Sequence, residues 1–546
     1  MRRYLPLLII LLALAARLIP GPRTIDDSYI TFRYTRHILA GDGMVYNPGE
    51  QVLGTTTPLY AGLMAFLGLF SGGEEAPFPI LAMGVNAIFD ALTCLILLKL
   101  GERLGSPRAG VGAAVVWAIL PFSVTFAIGG LETSLYILLL TGAVYFHLTE
   151  KHTLTALLAA LSLLTRPDAL ILLGPLALDR IMSSDILHSF LPRSLRLRKT
   201  SAIRKTNAAQ GTPSSSLPHS PTPPITLSEL LAALLLPALW FSFAWVYYGS
   251  PIPHSIAAKS VAYQLEPMTA LVRLLQHYAT PFMDNLTFGV PGIVVGIVLY
   301  PFLFLIGAQA AMKATRRIWA WVVYPWLYFA VFALANPLIF RWYLTPPLPA
   351  YILMILLGAD QLLRTHLRDP GQKNPSKQAV LISIIILLPT FLSVQDWQLR
   401  PDHGLQRPAP EMAWYQLELF YRQAADSLEA DIRAETAARG APPTLAAGDV
   451  GVLGYFTSAR ILDTLGLNSP EAIPYYPVPS EMHANIYAVA PDLILDEMPD
   501  YIVLLEVYGR EGLFKDPRFW EAYHVRETIP TNIYDSEGML IFERNE

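Results

Sequence analysis

The sequence predicts a mainly α-helical, polytopic membrane protein that carries an α/β region at its C-terminus. Three observations support this. Of 546 residues, 53% are hydrophobic and only 15% are charged, with a mean hydropathy of +0.41; an ordinary soluble domain is about 25% charged. The apolar residues gather in runs long enough to cross a bilayer, which takes roughly 17–25 residues. The formal charge of −4 is also unevenly spread: residues 1–395 hold 18 acids and 28 bases, and residues 396–546 hold 25 acids and 11 bases. A basic membrane body therefore precedes an acidic tail. A soluble enzyme is excluded, and so is a nucleic-acid binder, because the bases sit in loops that flank spans. Cys94 is the single cysteine, so no intrachain disulfide can form.

The first run, 4–20, follows Arg2 and Arg3 and has no convincing small-residue cleavage site, so it reads as an uncleaved first helix rather than a signal peptide. Further runs lie at 77–99, 109–128, 131–148, 227–247, 290–312, 318–335, 344–363 and 378–395. The run 153–180 is interrupted by Thr165-Arg166-Pro167-Asp168 and reads as two short helices joined by a tight, recessed turn. The apolar stretch 56–70 is short for a span. If it crossed, the bases between Arg193 and Lys205 would lie outside, against the cytoplasmic preference of Lys and Arg. Treated as half-inserted, it leaves about eleven crossings and puts the C-terminus outside. Residues 206–224 are rich in Ser, Thr and Pro and lack periodicity, as expected of a disordered linker within a basic cytoplasmic segment, 181–226. The predicted domains are thus a membrane module, 1–395, whose outer loop is 21–76, and an extracytoplasmic α/β cap, 396–546. In the cap an amphipathic helix over about 411–438 precedes strand-like runs at 444–447 and 501–505.

The predicted outer loops concentrate polar residues. Asp26 and Asp27 directly follow the first span. Two adjacent carboxylates there can serve as a general base and a cation ligand. Taken alone, an N-cap for a helix over 28–39 is the simpler account. Glu132, in Gly130-Leu131-Glu132-Thr133, is costly at a membrane surface unless partnered, functional or snorkelling. Arg166 and Asp168 flank the recessed turn, where a local ion pair suffices to explain them. His254, Lys259 and Arg341 are bases at outer helix ends and oppose the positive-inside trend, so they fit an anionic ligand or lipid headgroups. Asp90, inside a span, calls for a partner on a neighbouring helix. Asp449, between Gly448 and Val450, fits either a groove-facing loop or a turn cap.

At these residues the chain resembles the GT-C superfamily of membrane glycosyltransferases, especially the arabinofuranosyltransferase and mannosyltransferase-like bacterial members. The resemblance runs through Asp26-Asp27-Ser28-Tyr29-Ile30, Arg33-Tyr34, Asn47-Pro48-Gly49-Glu50 and Thr57-Pro58-Leu59 of the first loop. It continues in Gly130-Leu131-Glu132-Thr133, Thr165-Arg166-Pro167-Asp168, Arg341-Trp342-Tyr343-Leu344, Ala447-Gly448-Asp449-Val450-Gly451 and Asp463-Thr464-Leu465-Gly466-Leu467. Pro253-His254 departs from the Pro-Asn common among relatives. The resemblance implies an inverting transfer of a sugar from a polyprenyl-phosphate donor to a hydroxyl on an extracytoplasmic glycan, lipid or protein. The enzyme would lie in the plasma membrane among lipids. It implies a carboxylate base at the Asp26/Asp27 pair, with Asp26 the favoured base. Asp27 would orient it, cap the helix or bind a divalent cation (Mg, Mn or Ca). Donor contacts would come from Glu132, Arg166, His254, Lys259 and Arg341, with Lys259 and Arg341 on the phosphate. The competing class is a non-catalytic transporter of the same lipid-linked sugar, which would need polar residues through the full bilayer depth.

Overall fold

The computed structural model describes residues 3–183, 224–263, 265–282, 289–365, 413–483 and 487–545. The expected span 378–395 and residues 184–223 of the expected linker lie outside the described residues.

The helical body opens with α1 (Leu5–Leu18), α2 (Asp26–Ala40), α3 (Pro58–Gly68) and α4 (Phe78–Arg103). There follow α5 (Pro107–Ile119), α6 (Pro121–Ile128), α7 (Thr133–Leu148), α8 (His152–Thr165) and α9 (Leu170–Ser183). After the linker come α10 (Leu227–Tyr248), α11 (His254–Ala262), α12 (Thr269–Ala279), α13 (Gly289–Ala314), α14 (Trp319–Ala335) and α15 (Leu348–Thr365). The apolar runs within the described residues thus became helices, and the break at 165–168 is real: a 3-10 turn, Pro167–Ala169, joins α8 to α9. One run behaves differently. The stretch 109–128 is not a single span, because Leu120 is extended ahead of Pro121 and the two halves bend by 44°. Proline lacks the N–H that the helix needs and drives the preceding residue out of the helical region. Among the described residues four helices, or five counting that bent pair, are long and apolar enough to cross a membrane. The others read as spans are shorter, so the expected count of about eleven is not reached within them.

Two packing devices hold the body. Gly307 and Gly358 let α13 and α15 touch backbone to backbone: a Cβ on Gly307 would lie 1.9 Å from the Met354 carbonyl oxygen, and one on Gly358 the same distance from that of Leu303. Small residues serve helix packing in lipid in this way. Elsewhere, the buried Asp90 pairs with Arg17 of α1 at 2.8 Å and accepts from Trp117 Nε1 and Ser134 Oγ. Arg17 also donates to the carbonyls of Ala13 and Ala118. The partner expected for Asp90 is therefore the first helix.

The C-terminal region begins with α16 (Ala413–Arg439), followed by β1 (Thr444–Ala447), α17 (Gly451–Phe456) and β2 (Arg460–Asp463). Then come α18 (Pro491–Glu497), β3 (Tyr501–Leu505), α19 (Pro517–Ala522), β4 (Tyr523–Ile529) and β5 (Met539–Arg544). The sheet order is β2-β1-β3-β5-β4, with β2, β1 and β3 parallel and β5 antiparallel to both its neighbours. Side chains alternate between faces along a strand. Leu445, Ala447, Val503 and Leu505 face Leu417, Tyr421, Ala424 and Leu428 of α16, together with Tyr34 and Tyr46 of the first loop. Ala446, Leu462, Ile502 and Leu504 on the other face meet Ala258 and Ala262 of α11. Both faces of the sheet thus share cores with the body, which fixes the C-terminal region over the helix ends where the candidate polar residues lie.

Candidate functional site

The resemblance residues of the first loop are largely docking residues. Asp26 starts α2, but its carboxylate accepts from the backbone N–H groups of Gly451 and Val452, at 2.8 and 2.7 Å. It therefore caps α17, more than four hundred residues away, rather than its own helix. Its own backbone N–H donates to Glu418 Oε1 of α16 at 2.8 Å. Gly451 is the residue this approach requires, since a Cβ there would stand 1.8 Å from the Asp26 carbonyl oxygen. Burial, then the nearby Asp449 charge, raises the Asp26 pKa well above the usual carboxylate range, against the two N–H bonds. Arg33, fully enclosed, donates to the carbonyls of Tyr46, Gly454 and Ala459 and to Asn47 Oδ1. Asn47 in turn pairs with both backbone groups of Ile461. The tail motif at 463–467 is a turn: Asp463 accepts from the N–H groups of Leu465 and Asn468, and Asn468 receives the Tyr34 hydroxyl.

Asp27 is different. Adjacent residues on a helix point about 100° apart, since a turn takes 3.6 residues, so one carboxylate of the pair can dock α17 while the other faces open space. Asp27 lines two neighbouring cavities of about 480 Å³ each. Among the described residues its carboxylate takes no hydrogen bond and no ion pair.

The first cavity gathers Asp27, Glu132, Arg166, Asp168 and Lys259 with Tyr263, Trp342 and Tyr343. Arg166 is held by Glu132 at 3.2 Å and by Asp168 at 2.9 Å, and its guanidinium lies over the Tyr343 ring at 4.6 Å. Asp168 also accepts from the Tyr328 hydroxyl. Two carboxylates thus match the Arg166 charge. Lys259, on α11, packs over the Phe340 ring and meets no carboxylate at ion-pair distance among the described residues. Burial by itself would lower its pKa, but Tyr343 and Asp27 outweigh it and the pKa is raised, so Lys259 stays an ammonium. It is the charge in this cavity best placed to meet an anion.

Two expected contacts are not brought to the cavity. His254 opens α11 on the same stripe as Ala258 and Ala262, which pack into the sheet, while Ser255, Lys259 and Tyr263 line the space. Its backbone N–H bonds the Leu53 carbonyl at 2.8 Å. Arg341 belongs to a 3-10 turn whose next two residues, Trp342 and Tyr343, line the cavity. Arg341 instead lies close enough to Tyr534 for its charge to act there. Among the described residues no three His, Cys, Asp or Glu side chains converge to hold a metal ion; Asp26 has both oxygens on α17, and Asp27, the expected cation ligand, keeps its carboxylate unbonded beside the two cavities.

Sequence reasoning missed Glu418. On an amphipathic helix a glutamate usually reads as solvated, yet it stands three residues before Tyr421 and seven before Ala425 on the buried stripe. That spacing was the available signal.

Comparison with known proteins agrees with the fold. Residues 414–542 match a family described as a domain of unknown function (DUF8728). A terminal β-(1→2)-arabinofuranosyltransferase of Mycobacterium tuberculosis is 31% identical over 160 residues, 28% of this chain and 24% of that protein. The match thus spans about a quarter of the curated relative's length. ArnT from Cupriavidus metallidurans, solved bound to undecaprenyl phosphate, superposes with a TM-score of 0.52 at 12% identity, covering 98% of this chain and 97% of that one. The Archaeoglobus fulgidus oligosaccharyltransferase AglB, solved with an inhibitory peptide and a dolichol-phosphate, gives 0.51 at 14%, covering 94% of this chain and 72% of that one. The chain thus shares the fold of these two solved proteins, the GT-C fold that the resemblance implies, and its long apolar helices suit a membrane.

Proposed function

We propose that the chain is an inverting glycosyltransferase that moves a sugar from a polyprenyl-phosphate donor to a hydroxyl, with Asp27 as the base. The observation carrying this reading is that Asp27, with no hydrogen-bond partner among the described residues, stands between two cavities, one of which holds Lys259. The likeness to proteins solved with undecaprenyl phosphate and dolichol-phosphate supports the donor class. In the step, Asp27 takes the proton of the acceptor hydroxyl. The oxygen bonds to the anomeric carbon from the face opposite the phosphate, and the carbon–oxygen bond to phosphate breaks. The lipid phosphate leaves with the electron pair, and Lys259 neutralises the charge that develops on it. Glu132 and Asp168 fix Arg166 as one wall, and Asp26 anchors α17. No step is routed through a metal. In this reading 1–395 is the membrane module and 396–546 an extracytoplasmic cap.

The test is lipidomic. Cells lacking the protein should accumulate one polyprenyl-phosphate sugar, parent protein should clear it, and Asp27→Asn expressed at equal level should not. Clearance by Asp27→Asn equal to the parent would remove Asp27 as the base. Absence of any accumulating lipid would remove the donor assignment.

A further inference from the structure

The helical body has a further cavity at the end away from the C-terminal region. α15 begins just past the 341–344 turn beside the candidate site. Its 18 residues cover about 27 Å at 1.5 Å per residue, so its last turns stand at the opposite membrane face. There a cavity of about 190 Å³ opens between the turn joining α4 to α5 and the ends of α13 and α15. Its charged groups are Lys313, Asp360 and Arg364. Asp360 is already matched: it pairs with Arg364 at 2.5 Å and accepts from the Ser106 hydroxyl. Arg364 also donates to the Gly105 carbonyl at 3.2 Å, which braces the α4–α5 turn. Lys313 has no such match. Among the described residues it meets no carboxylate at ion-pair distance, and the Gln309 side chain, one turn earlier, makes no hydrogen bond. The cavity thus keeps one positive charge that these residues do not neutralise.

A second observation indicates the kind of anion. Gln309 and Lys313 follow Phe302 on α13 by seven and eleven residues, so all three lie within about 40° of one line along the helix. Leu305 flanks that line. Phe302 is 54% exposed and Leu305 64% exposed, as side chains that meet acyl chains are. The stripe therefore passes from apolar groups to an amide and an ammonium within about 16 Å, and it ends in the cavity. A phospholipid has the same order, with its chain first and its phosphate last. We propose that the cavity binds the phosphate of an anionic phospholipid whose acyl chain lies along Phe302 and Leu305. Lys313 supplies the counter-charge and Gln309 a hydrogen-bond donor. A zwitterionic headgroup would bring a further cation beside Lys313 and Arg364, with the one carboxylate already matched. Inorganic phosphate would meet the charge but leave the apolar stripe unused. In the orientation proposed above this is the cytoplasmic leaflet, where basic pockets between spans meet anionic headgroups. The inference does not rest on the transfer reading, since the cavity stands at the other end of the body.

The experiment is intact-complex mass spectrometry of the full chain in detergent micelles. The micelles are titrated with phosphatidylglycerol, phosphatidylethanolamine, phosphatidylcholine or inorganic phosphate. One equivalent of phosphatidylglycerol should be held about tenfold more tightly than either zwitterionic lipid, and excess inorganic phosphate should not displace it. Lys313→Ala should weaken that equivalent about tenfold or more, the worth of a charge-assisted contact. Lys313→Arg keeps the charge and should retain most of the binding. Arg316→Ala removes an equal charge three residues on, outside the cavity, and should change binding by less than about threefold. Lys313 is exposed, so its substitution leaves the fold intact, and the melting temperature without added lipid checks this. The proposal is overturned if zwitterionic lipids bind equally or if inorganic phosphate displaces the lipid. It is overturned too if Lys313→Ala binds as the parent does. An equal loss in Arg316→Ala also overturns it, because general attraction to surface bases then accounts for the lipid.

Discussion

Two clusters of enclosed charge can be compared within this one chain. In the helical body, Arg17 and Asp90 saturate one another: Asp90 has Arg17, Trp117 and Ser134, and Arg17 has in addition the carbonyls of Ala13 and Ala118. At the junction with the C-terminal region, Asp27 and Lys259 line a cavity and meet no such partners among the described residues. Both clusters cost desolvation, but only the first recovers it within the protein. A saturated cluster is a structural joint. An unsaturated one beside a cavity is where a ligand supplies the missing partner. The same contrast separates Asp26, whose oxygens cap α17, from its neighbour Asp27.

The largest expected effect sharpens that contrast. Asp27→Asn should lower transfer by about 10²–10⁴-fold, the value of a positioned base, with thermal stability close to the parent. Asp26→Asn should chiefly loosen α17, seen as faster proteolysis of the C-terminal region. If Asp26→Asn abolishes transfer in a stable protein and Asp27→Asn does not, the assignment is reversed.

Next comes the joint. Asp90→Leu alone should destabilise the body by about 3–5 kcal/mol, because it leaves Arg17 buried and uncompensated. Adding Arg17→Met should recover part of that, and not all, since Trp117 Nε1 and Ser134 Oγ still lose their acceptor. Denaturant titration in detergent reads both. A neutral outcome for the single variant would break the comparison.

A titration follows. Burial raises the Asp449 pKa to about 6. A raised carboxyl holds its proton more tightly when folded, so its stabilisation is full below about pH 4 and is lost as pH rises to about 6. A rise of about two units corresponds to about 3 kcal/mol. Asp449→Asn should therefore exceed the parent in stability by about that amount above pH 6, with the difference vanishing below pH 4. Glu418 and Asp26, raised by burial in the same direction, should leave a residual slope. A pH-independent difference would remove Asp449 from the enclosed set.

The smallest effect concerns the donor. Lys259→Ala should weaken undecaprenyl phosphate binding about 10- to 100-fold, the worth of one charge-assisted contact. Arg341→Ala, whose charge acts on Tyr534 instead, should change it by less than about threefold. Equal losses would return Arg341 to the phosphate.

Much of the fold was legible in the sequence. Apolar runs set the helices because backbone in lipid must satisfy itself within a segment. Thr165-Arg166-Pro167-Asp168 marked a turn because charge and proline interrupt such a run together. Pro121 left no comparable mark, since it is apolar and so are its neighbours, and its break became visible only as a bend. The strands at 444–447 and 501–505 and the long helix before them followed from local pattern, as did the need of Asp90 for a partner.

The candidate site was legible as a set of motifs but not as a geometry. Composition and the order of Asp26-Asp27, Glu132, Arg166 and Lys259 identified which polar groups stand at helix ends. The division of labour between Asp26 and Asp27 depends on Gly451 and Val452, which meet α2 through the packing of the sheet against α11 and α16. The same packing removes His254 and Arg341 from the first cavity and brings Glu418 and Tyr534 to the second. Local sequence sets helix, turn and charge, because those depend on near neighbours along the chain. Which carboxylate is saturated and which is left facing a cavity depends on contacts between segments some four hundred residues apart, and only the tertiary structure decides that.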